Sequence, residues 1–343
     1  MADIPRPFAF VEQEAYGTLL RGSGWLPLED DPSCRGALDR ADLLREDKAG
    51  LAALWPRARV LLLDDEGLAV TDDDGQMPVL HGVDISAGPG GPGLAIFLGV
   101  DSDGTGWFAL DAQVTSVTLA GRLDLRSAAA RWPAFEAAVF AQARALQHWR
   151  RRHRHCGACG GELAFERGGW LGRCGACALE HYPRTDPAVI VAVTDGKRLL
   201  LGRQAGWPAR RYSVLAGFVE PGETLEQTVA REVLEESGIR IRACRYLASQ
   251  PWPFPGALML GFIALAEAAE PRVHDELEEA RWFTVEEIRA AAARDEIDDG
   301  GPLLSAPISI ARWLIGQWLA EMEASGPPAR TDRQLGPLSG PSG

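Results

Sequence analysis

The stretch GFVEPGETLEQTVAREVLEESGI, residues 217–239, carries both ends of a helix and a concentration of carboxylates. Thr224 and Gln227 have the spacing of a capping box, in which each side chain satisfies the other residue's backbone N–H. Gly238 suits the left-handed position just past a helix C-terminus. The spacing therefore predicts a helix over Thr224–Ser237. On it, Glu232, Glu235 and Glu236 fall at i, i+3 and i+4 and share one face, while Leu225, Val229, Val233 and Leu234 supply apolar packing positions.

Three adjacent carboxylates repel one another, which is tolerable in water and costly in a cleft unless divalent cations lie between them. Hard oxygen ligands of this kind suit Mg²⁺ or Mn²⁺. Such ions polarise phosphoryl oxygens and lower the pKa of bound water, so the chemistry they suggest is phosphoanhydride hydrolysis. Arg231 can pair with Glu235 at i+4 or reach back to Glu223, and either contact fixes carboxylate geometry. An isolated E-x-x-E-E run is more often a solvated acidic face; the surrounding pattern, taken up below, separates this one.

Working outward, Ala188 opens a Val-Ile-Val-Ala-Val run that predicts a buried strand, and Lys197–Gly202 predicts a second, with Asp195-Gly196 as the turn between them. Further helices are expected at 285–293 and 308–322, and strands at 241–249, 258–266 and 280–283. Upstream, β-branched and leucine-rich runs such as Val60–Leu63 and Ala95–Leu98 alternate with Gly/Asp turns. They predict a mainly β N-terminal domain, closed by an amphipathic helix over Pro133–Arg150. From residue 325, 11 of 19 residues are Gly, Pro or Ser, which predicts a disordered tail.

Between these regions stand Cys156-Gly-Ala-Cys159 and Cys174-Gly-Ala-Cys177, 14 residues apart. Two Cys-x-x-Cys turns present four thiolates, the closed shell of a structural zinc ribbon with no open position for catalysis. Cys34 and Cys244 are left as small core residues, and His153 and His155 as bystanders. The basic run from His148 to His155 reads either as a phosphate or RNA contact or as a solvated helix end favoured by the dipole, and the second is preferred.

Composition bounds the rest. At about 150 residues per domain, 343 residues allow two or three domains. The formal charge of −13 repels nucleic acid and anionic membrane unless a local patch or bound metal reverses it. The N-terminus lacks the pattern of a secretory signal and no run approaches a membrane span, so a cytoplasmic protein is expected.

The full pattern, Gly217, Glu223, then Arg231-Glu232-Val233-Leu234-Glu235-Glu236-Ser237-Gly238-Ile239, matches the box G-x5-E-x7-R-E-U-x-E-E-x-G-U without a departure. The chain resembles the Nudix hydrolases. The resemblance implies an α+β protein whose Nudix part is an α/β/α sandwich with a mixed sheet. It also implies Glu232, Glu235 and Glu236 as metal ligands, with Glu223 and Arg231 completing the catalytic set. The expected organisation is a β-rich N-terminal domain at 1–150, a zinc ribbon at 151–183, a Nudix domain at 184–324 and the tail at 325–343.

Downstream, Ser249-Gln250-Pro251-Trp252-Pro253-Phe254-Pro255 reads as a stiff loop presenting flat faces for stacking. It is similar to the S-Q-P-W-P-F-P-x-S array of the NADH pyrophosphatase branch, departing only at Ala257, where the final serine and its hydroxyl are missing. The four-cysteine ribbon and the linker His181-Tyr-Pro-Arg-Thr-Asp-Pro187 agree with that branch; the N-terminal region matches in general layout, including Phe97–Asp101. The branch implies cleavage of NADH or NAD⁺ to the mononucleotide and AMP by a homodimer, with structural Zn²⁺ and catalytic Mg²⁺ or Mn²⁺.

The same resemblance makes Phe218, Tyr182, Trp252, Gln250 and Phe254 the substrate-binding candidates, and implies Glu276 as a further metal ligand, with Glu279 its near rival. Sequence leaves the catalytic base open between a box glutamate and metal polarisation alone. Alternatives are removal of an NAD cap from RNA, broader action on ADP-ribose-type substrates, and a non-enzymatic zinc-ribbon module, the last opposed by the intact glutamates.

Overall fold

A computed structural model of the chain describes residues 38–90, 94–119, 121–273, 276–294 and 300–324. The expectations for Cys34 and for the tail fall outside them.

The N-terminal unit starts with helix α1 (Lys48–Leu54). Strands β1 (Arg59–Leu63), β2 (Ala69–Thr71), β3 (Ile96–Val100), β4 (Gly106–Asp111) and β5 (Gly121–Leu123) form a sheet in the order β3-β4-β1-β2-β5, with the short helix α2 (Gly82–Ile85) between β2 and β3. Helices α3 (Leu125–Arg131) and α4 (Ala134–Arg152) follow. Alternation along β1 sends Leu61 and Leu63 towards Phe140 and Leu146 of α4, and Val60 and Leu62 towards Leu51 of α1 and Trp55. The unit is therefore β-rich, as expected, but its sheet is covered by helices on both faces, because strands buried on both sides need two covers.

The ribbon is a three-stranded antiparallel sheet, β6 (Leu163–Glu166), β7 (Leu171–Cys174) and β8 (Glu180–His181). It docks on the N-terminal unit: Trp170 Nε1 donates to Phe97 O at 2.7 Å, and Phe165 meets the Trp149 ring edge-on at 5.6 Å.

The C-terminal unit contains β9 (Asp186–Thr194), β10 (Leu199–Arg203), β11 (Arg211–Tyr212), β12 (Leu215–Phe218), α5 (Leu225–Ser237), β13 (Ile241–Trp252), β14 (Ala257–Ala266), β15 (Glu279–Phe283), α6 (Val285–Ala292), β16 (Leu303–Leu304) and α7 (Ile310–Ala324). The main sheet runs β13-β14-β9-β10-β15, with β12 also on β9; β9 and β14 are parallel and the other pairs antiparallel. Val189, Val191 and Val193 of β9 pack towards α5, and Ile190 and Ala192 towards α7, giving an α/β/α sandwich. The stretch expected as a loop at 249–255 is strand as far as Trp252, with Pro251 opposite Leu258. β13 is an edge strand, where the missing proline N–H costs no ladder bond on the open side.

Candidate active site and metal centres

Helix α5 is fixed at both ends. Thr224 Oγ1 accepts from the Gln227 N–H at 3.2 Å, Gln227 Oε1 accepts from the Thr224 N–H at 2.8 Å, and Gly238 takes φ 68°. A cap of this kind contributes about 1 kcal/mol. Val229 and Val233, both fully buried against the sheet, set the helix rotation. That rotation brings the box glutamates against β12. A Cβ on Gly217 would lie 1.8 Å from the Glu232 carboxyl carbon, so only glycine lets this carboxylate approach the strand backbone.

Arg231 makes both contacts that its sequence position allowed. Its Nε and Nη2 donate to Glu223 at 2.6 and 2.9 Å, and its Nη1 donates to Glu235 at 3.0 Å and lies 3.0 Å from Glu232 Oε1. Nη2 also donates to the Phe218 carbonyl at 2.9 Å, tying the helix to the end of β12. Glu223 further accepts from the Thr228 hydroxyl and the Glu220 N–H. Arg231, with these donors, holds the Glu223 carboxyl down at about 2.

Glu236 is the opposite case. It is 6% exposed and its Oε2 has no hydrogen-bond partner. Burial pushes it up to about 8, reinforced by the charges of Glu232 and Glu276 and partly offset by the Ala216 N–H. Burial, Glu235 and Glu276 raise Glu232 as well, against the pull of Arg231. Glu276 thus stands within electrostatic reach of two box glutamates, while its rival Glu279 accepts the Tyr212 hydroxyl at 2.7 Å. A buried, unpartnered carboxylate oxygen among like charges fits a hard divalent cation, with Glu232, Glu235, Glu236 and Glu276 as the available donors.

Glu236 also lines a cavity of about 420 Å³ whose other walls include Trp252, Trp207, Gln204 and Arg126. The aromatic candidates take different places around it. Trp252 is in the wall, its ring centroid 4.9 Å from that of Phe254. Phe254 packs on the N-terminal core, under the guanidinium groups of Arg126 at 4.1 Å and Arg144 at 5.1 Å. Phe218 and Tyr182 are exposed rings outside the lining of this cavity, and the Tyr182 hydroxyl donates to Glu180. Gln250, expected to bind substrate, is fully buried: its Nε2 donates to Ile308 O at 2.9 Å and its Oε1 accepts from the Ile310 N–H at 2.7 Å. Its amide secures the start of α7, which leaves the residue as cavity wall.

Arg126, Trp207 and Gln204 were not singled out from sequence. Arg126 lies far upstream of the box in another unit, and no local pattern marks it. Trp207 follows Gly206 and precedes Pro208 in a short connection after β10, a turn signal with an aromatic at its centre.

In the ribbon, Cys156, Cys159, Cys174 and Cys177 bring their sulfurs within 4.8 Å of one another, the one such group of metal-ligating atoms among the described residues. Cys156–Cys177 and Cys159–Cys174 are 3.7 and 3.4 Å apart. A tetrahedron of Zn–S bonds near 2.3 Å has edges of about 3.8 Å, so the donor set fits zinc. The Cys177 N–H helps hold the Cys174 thiol below its usual range. His153 and His155 are not in the cluster; His153 Nδ1 is 2.8 Å from Trp149 O. The histidine beside it is His181, whose Nε2 lies 3.3 Å from Cys156 Sγ.

A sandwich with this helix and loop has the architecture of a Nudix hydrolase, and residues 184–302 match the NUDIX domain model. Residues 151–182 match the NADH pyrophosphatase zinc ribbon domain, and 57–149 the NADH pyrophosphatase-like rudimentary NUDIX domain. A Mycobacterium bovis protein named NAD-capped RNA hydrolase NudC is 39% identical over 83% of this chain and 94% of its own. A Stutzerimonas stutzeri protein of the same name is 45% identical over 50% of this chain and 58% of its own. Human NAD-capped RNA hydrolase NUDT12 is 44% identical over 45% of this chain and 36% of its own. The chain belongs to the NADH pyrophosphatase family of Nudix hydrolases.

Proposed function

We propose that the protein hydrolyses the diphosphate linkage of NADH or NAD⁺ to the nicotinamide mononucleotide and AMP. The observation that carries this reading is the buried Glu236 carboxylate, whose Oε2 has no hydrogen-bond partner, in the wall of the same cavity as Trp252. Glu232, Glu235, Glu236 and Glu276 are the residues that would hold Mg²⁺ or Mn²⁺. The bound ions supply charge neutralisation at the diphosphate and acidify an attacking water. Arg231 and Glu223 orient the carboxylates. Trp252 stacks on a base or nicotinamide ring inside the cavity, and the exposed Phe218 and Tyr182 serve the part of the substrate that extends beyond it.

The reading is tested by chromatography of products after incubation with NADH and Mg²⁺, beside ADP-ribose and a Glu235→Gln variant. AMP and reduced mononucleotide from NADH, both lost in the variant, with AMP released much more slowly from ADP-ribose, is the expected result. Equal turnover of both substrates discards the NADH reading in favour of broader action on ADP-ribose-type compounds.

A second reading, cleavage of the same bond in NAD-capped RNA, is favoured by the names of the three relatives. The family resemblance also supports a homodimer, checked by light scattering. The thiolate ribbon suits the reducing cytoplasm, which we propose as its location. No helix among the described residues is long and apolar enough to cross a membrane.

A further inference from the structure

The arginines around the cavity mouth are not confined to it. Arg126, in its wall, stands 5.9 Å from the Trp252 ring centroid. Arg144, next to it over Phe254, donates through Nη1 to the Pro253 carbonyl. Arg144 also lines a second, polar cleft of about 240 Å³, together with His148, Arg151 and Arg152 of α4. The spacing 144, 148, 151 and 152 places these side chains on one helix face. One basic strip therefore leads from the cavity mouth to the end of α4, in a chain whose formal charge is −13.

The strip is short of counter-charges. Burial and the neighbouring Arg126 both disfavour the Arg144 cation. The nearby Asp124 is engaged as the N-cap of α3, accepting from the Arg126 and Ser127 N–H groups and the Ser127 hydroxyl. Asp65 and Glu66 border the second cleft, yet among the described residues neither forms an ion pair with Arg144, Arg151 or Arg152. Asp64 beside them pairs with Arg122, and it meets Arg151 only through its backbone carbonyl, at 3.2 Å. Cations gathered on one face without carboxylate partners, continuous with a site for a phosphoanhydride, suit a ligand with several phosphates in series.

We propose that α4 is a phosphate track for single-stranded RNA: the capped end enters the cavity and the chain leaves past Arg126 and Arg144 over Arg151 and Arg152. The inference deepens the second reading above and rests on it. A free dinucleotide has no phosphate beyond its own diphosphate to set on the far half of the strip. Each phosphate neutralised on a single strand contributes a salt slope of about −0.7 in log K against log[salt].

The test compares NADH with an NAD-capped oligonucleotide, using the full zinc- and Mg²⁺-loaded protein and an Arg151→Ser/Arg152→Ser variant. The expected result is unchanged kcat/KM on NADH and, on the capped oligonucleotide, a rise in KM of about 5- to 10-fold with the salt slope shallower by about 1.4. Arg152→Lys, which keeps the charge, should restore most of the loss attributable to Arg152, and melting curves should coincide. Equal losses on both substrates, or no change with the oligonucleotide, overturns the track. Turnover of NADH but not of the capped oligonucleotide by the unaltered protein overturns the track alone; turnover of neither overturns the diphosphatase reading with it.

Discussion

The Arg231 guanidinium holds the Glu223 carboxylate at two points, Nε to Oε1 at 2.6 Å and Nη2 to Oε2 at 2.9 Å, while its remaining nitrogen reaches Glu235. One planar group therefore orients the loop before α5 and the carboxylates on it, which a lysine ammonium cannot do. Arg231→Lys keeps the charge and loses the fork. The expected outcome is a kcat or Mg²⁺ affinity lowered about 10- to 100-fold, measured by steady-state kinetics across a Mg²⁺ titration. A variant with both parameters within twofold of the unaltered protein contradicts the orienting role.

Glu236 gives the protein a pH-dependent stability in the absence of Mg²⁺. Its folded-state value is about 8, against an ordinary 4.5. Between those values the native carboxyl retains a proton that the unfolded chain has released, so stability from this group is present below about 4.5 and declines as pH rises to about 8. The slope approaches about 1.4 kcal/mol per pH unit in mid-window. Thermal melts of the zinc-loaded, Mg²⁺-free protein should fall across that window, and Glu236→Gln should flatten the fall. Mg²⁺ should stabilise more at pH 8 than at pH 5, with proton release on binding near neutrality. A Glu236→Gln protein with the unaltered slope removes Glu236 as its source.

What sequence made legible here follows from how local each signal is. The ends of α5 were readable because Thr224, Gln227 and Gly238 act within one helical turn. Strand β9 was readable because its run is apolar on both faces, Val189, Val191 and Val193 on one and Ile190 and Ala192 on the other. β12 was not recognised as a strand, since Leu215–Phe218 is short, includes a glycine and is defined by its pairing with β9. Gln250 is a substrate candidate through its place in the Ser249–Pro255 array, whereas its role in holding the start of α7 was not legible, because its partners Ile308 and Ile310 lie 58 and 60 residues away. Arg126 has no local signature; only packing of the N-terminal unit against the β13–β14 turn brings it beside Trp252 and Phe254.

The ribbon should contain one zinc ion per chain, and Cys174→Ser should remove it, with the ribbon strands becoming open to proteolysis while the buried sheets on either side persist. Metal analysis and limited digestion followed by mass spectrometry check this. His181 refines the prediction: its Nε2 beside Cys156 Sγ is placed to donate to a ligand thiolate and fix its orientation. His181→Ala should keep the zinc stoichiometry and weaken retention against a chelator about 10-fold. Complete loss of zinc in that variant would make His181 indispensable to the site instead.

Trp252 stands at the end of an edge strand, held there by the strand's pairing and by the Phe254 ring beside it. A ring fixed this firmly loses little entropy when a ligand ring stacks on it. Stacking of an aromatic side chain on a base is worth about 1–3 kcal/mol by alanine substitution. Trp252→Ala should therefore raise KM for NADH about 5- to 150-fold, with kcat changed much less, because the glutamates on α5 are untouched. Phe254→Leu supplies the comparison: it retains an apolar plug against the N-terminal core but loses the ring under Arg126 and Arg144, so its smaller effect should come through looser placement of Trp252. If Trp252→Ala lowers kcat as much as it raises KM on both NADH and ADP-ribose, the ring positions the reacting diphosphate, and stacking is not its main contribution.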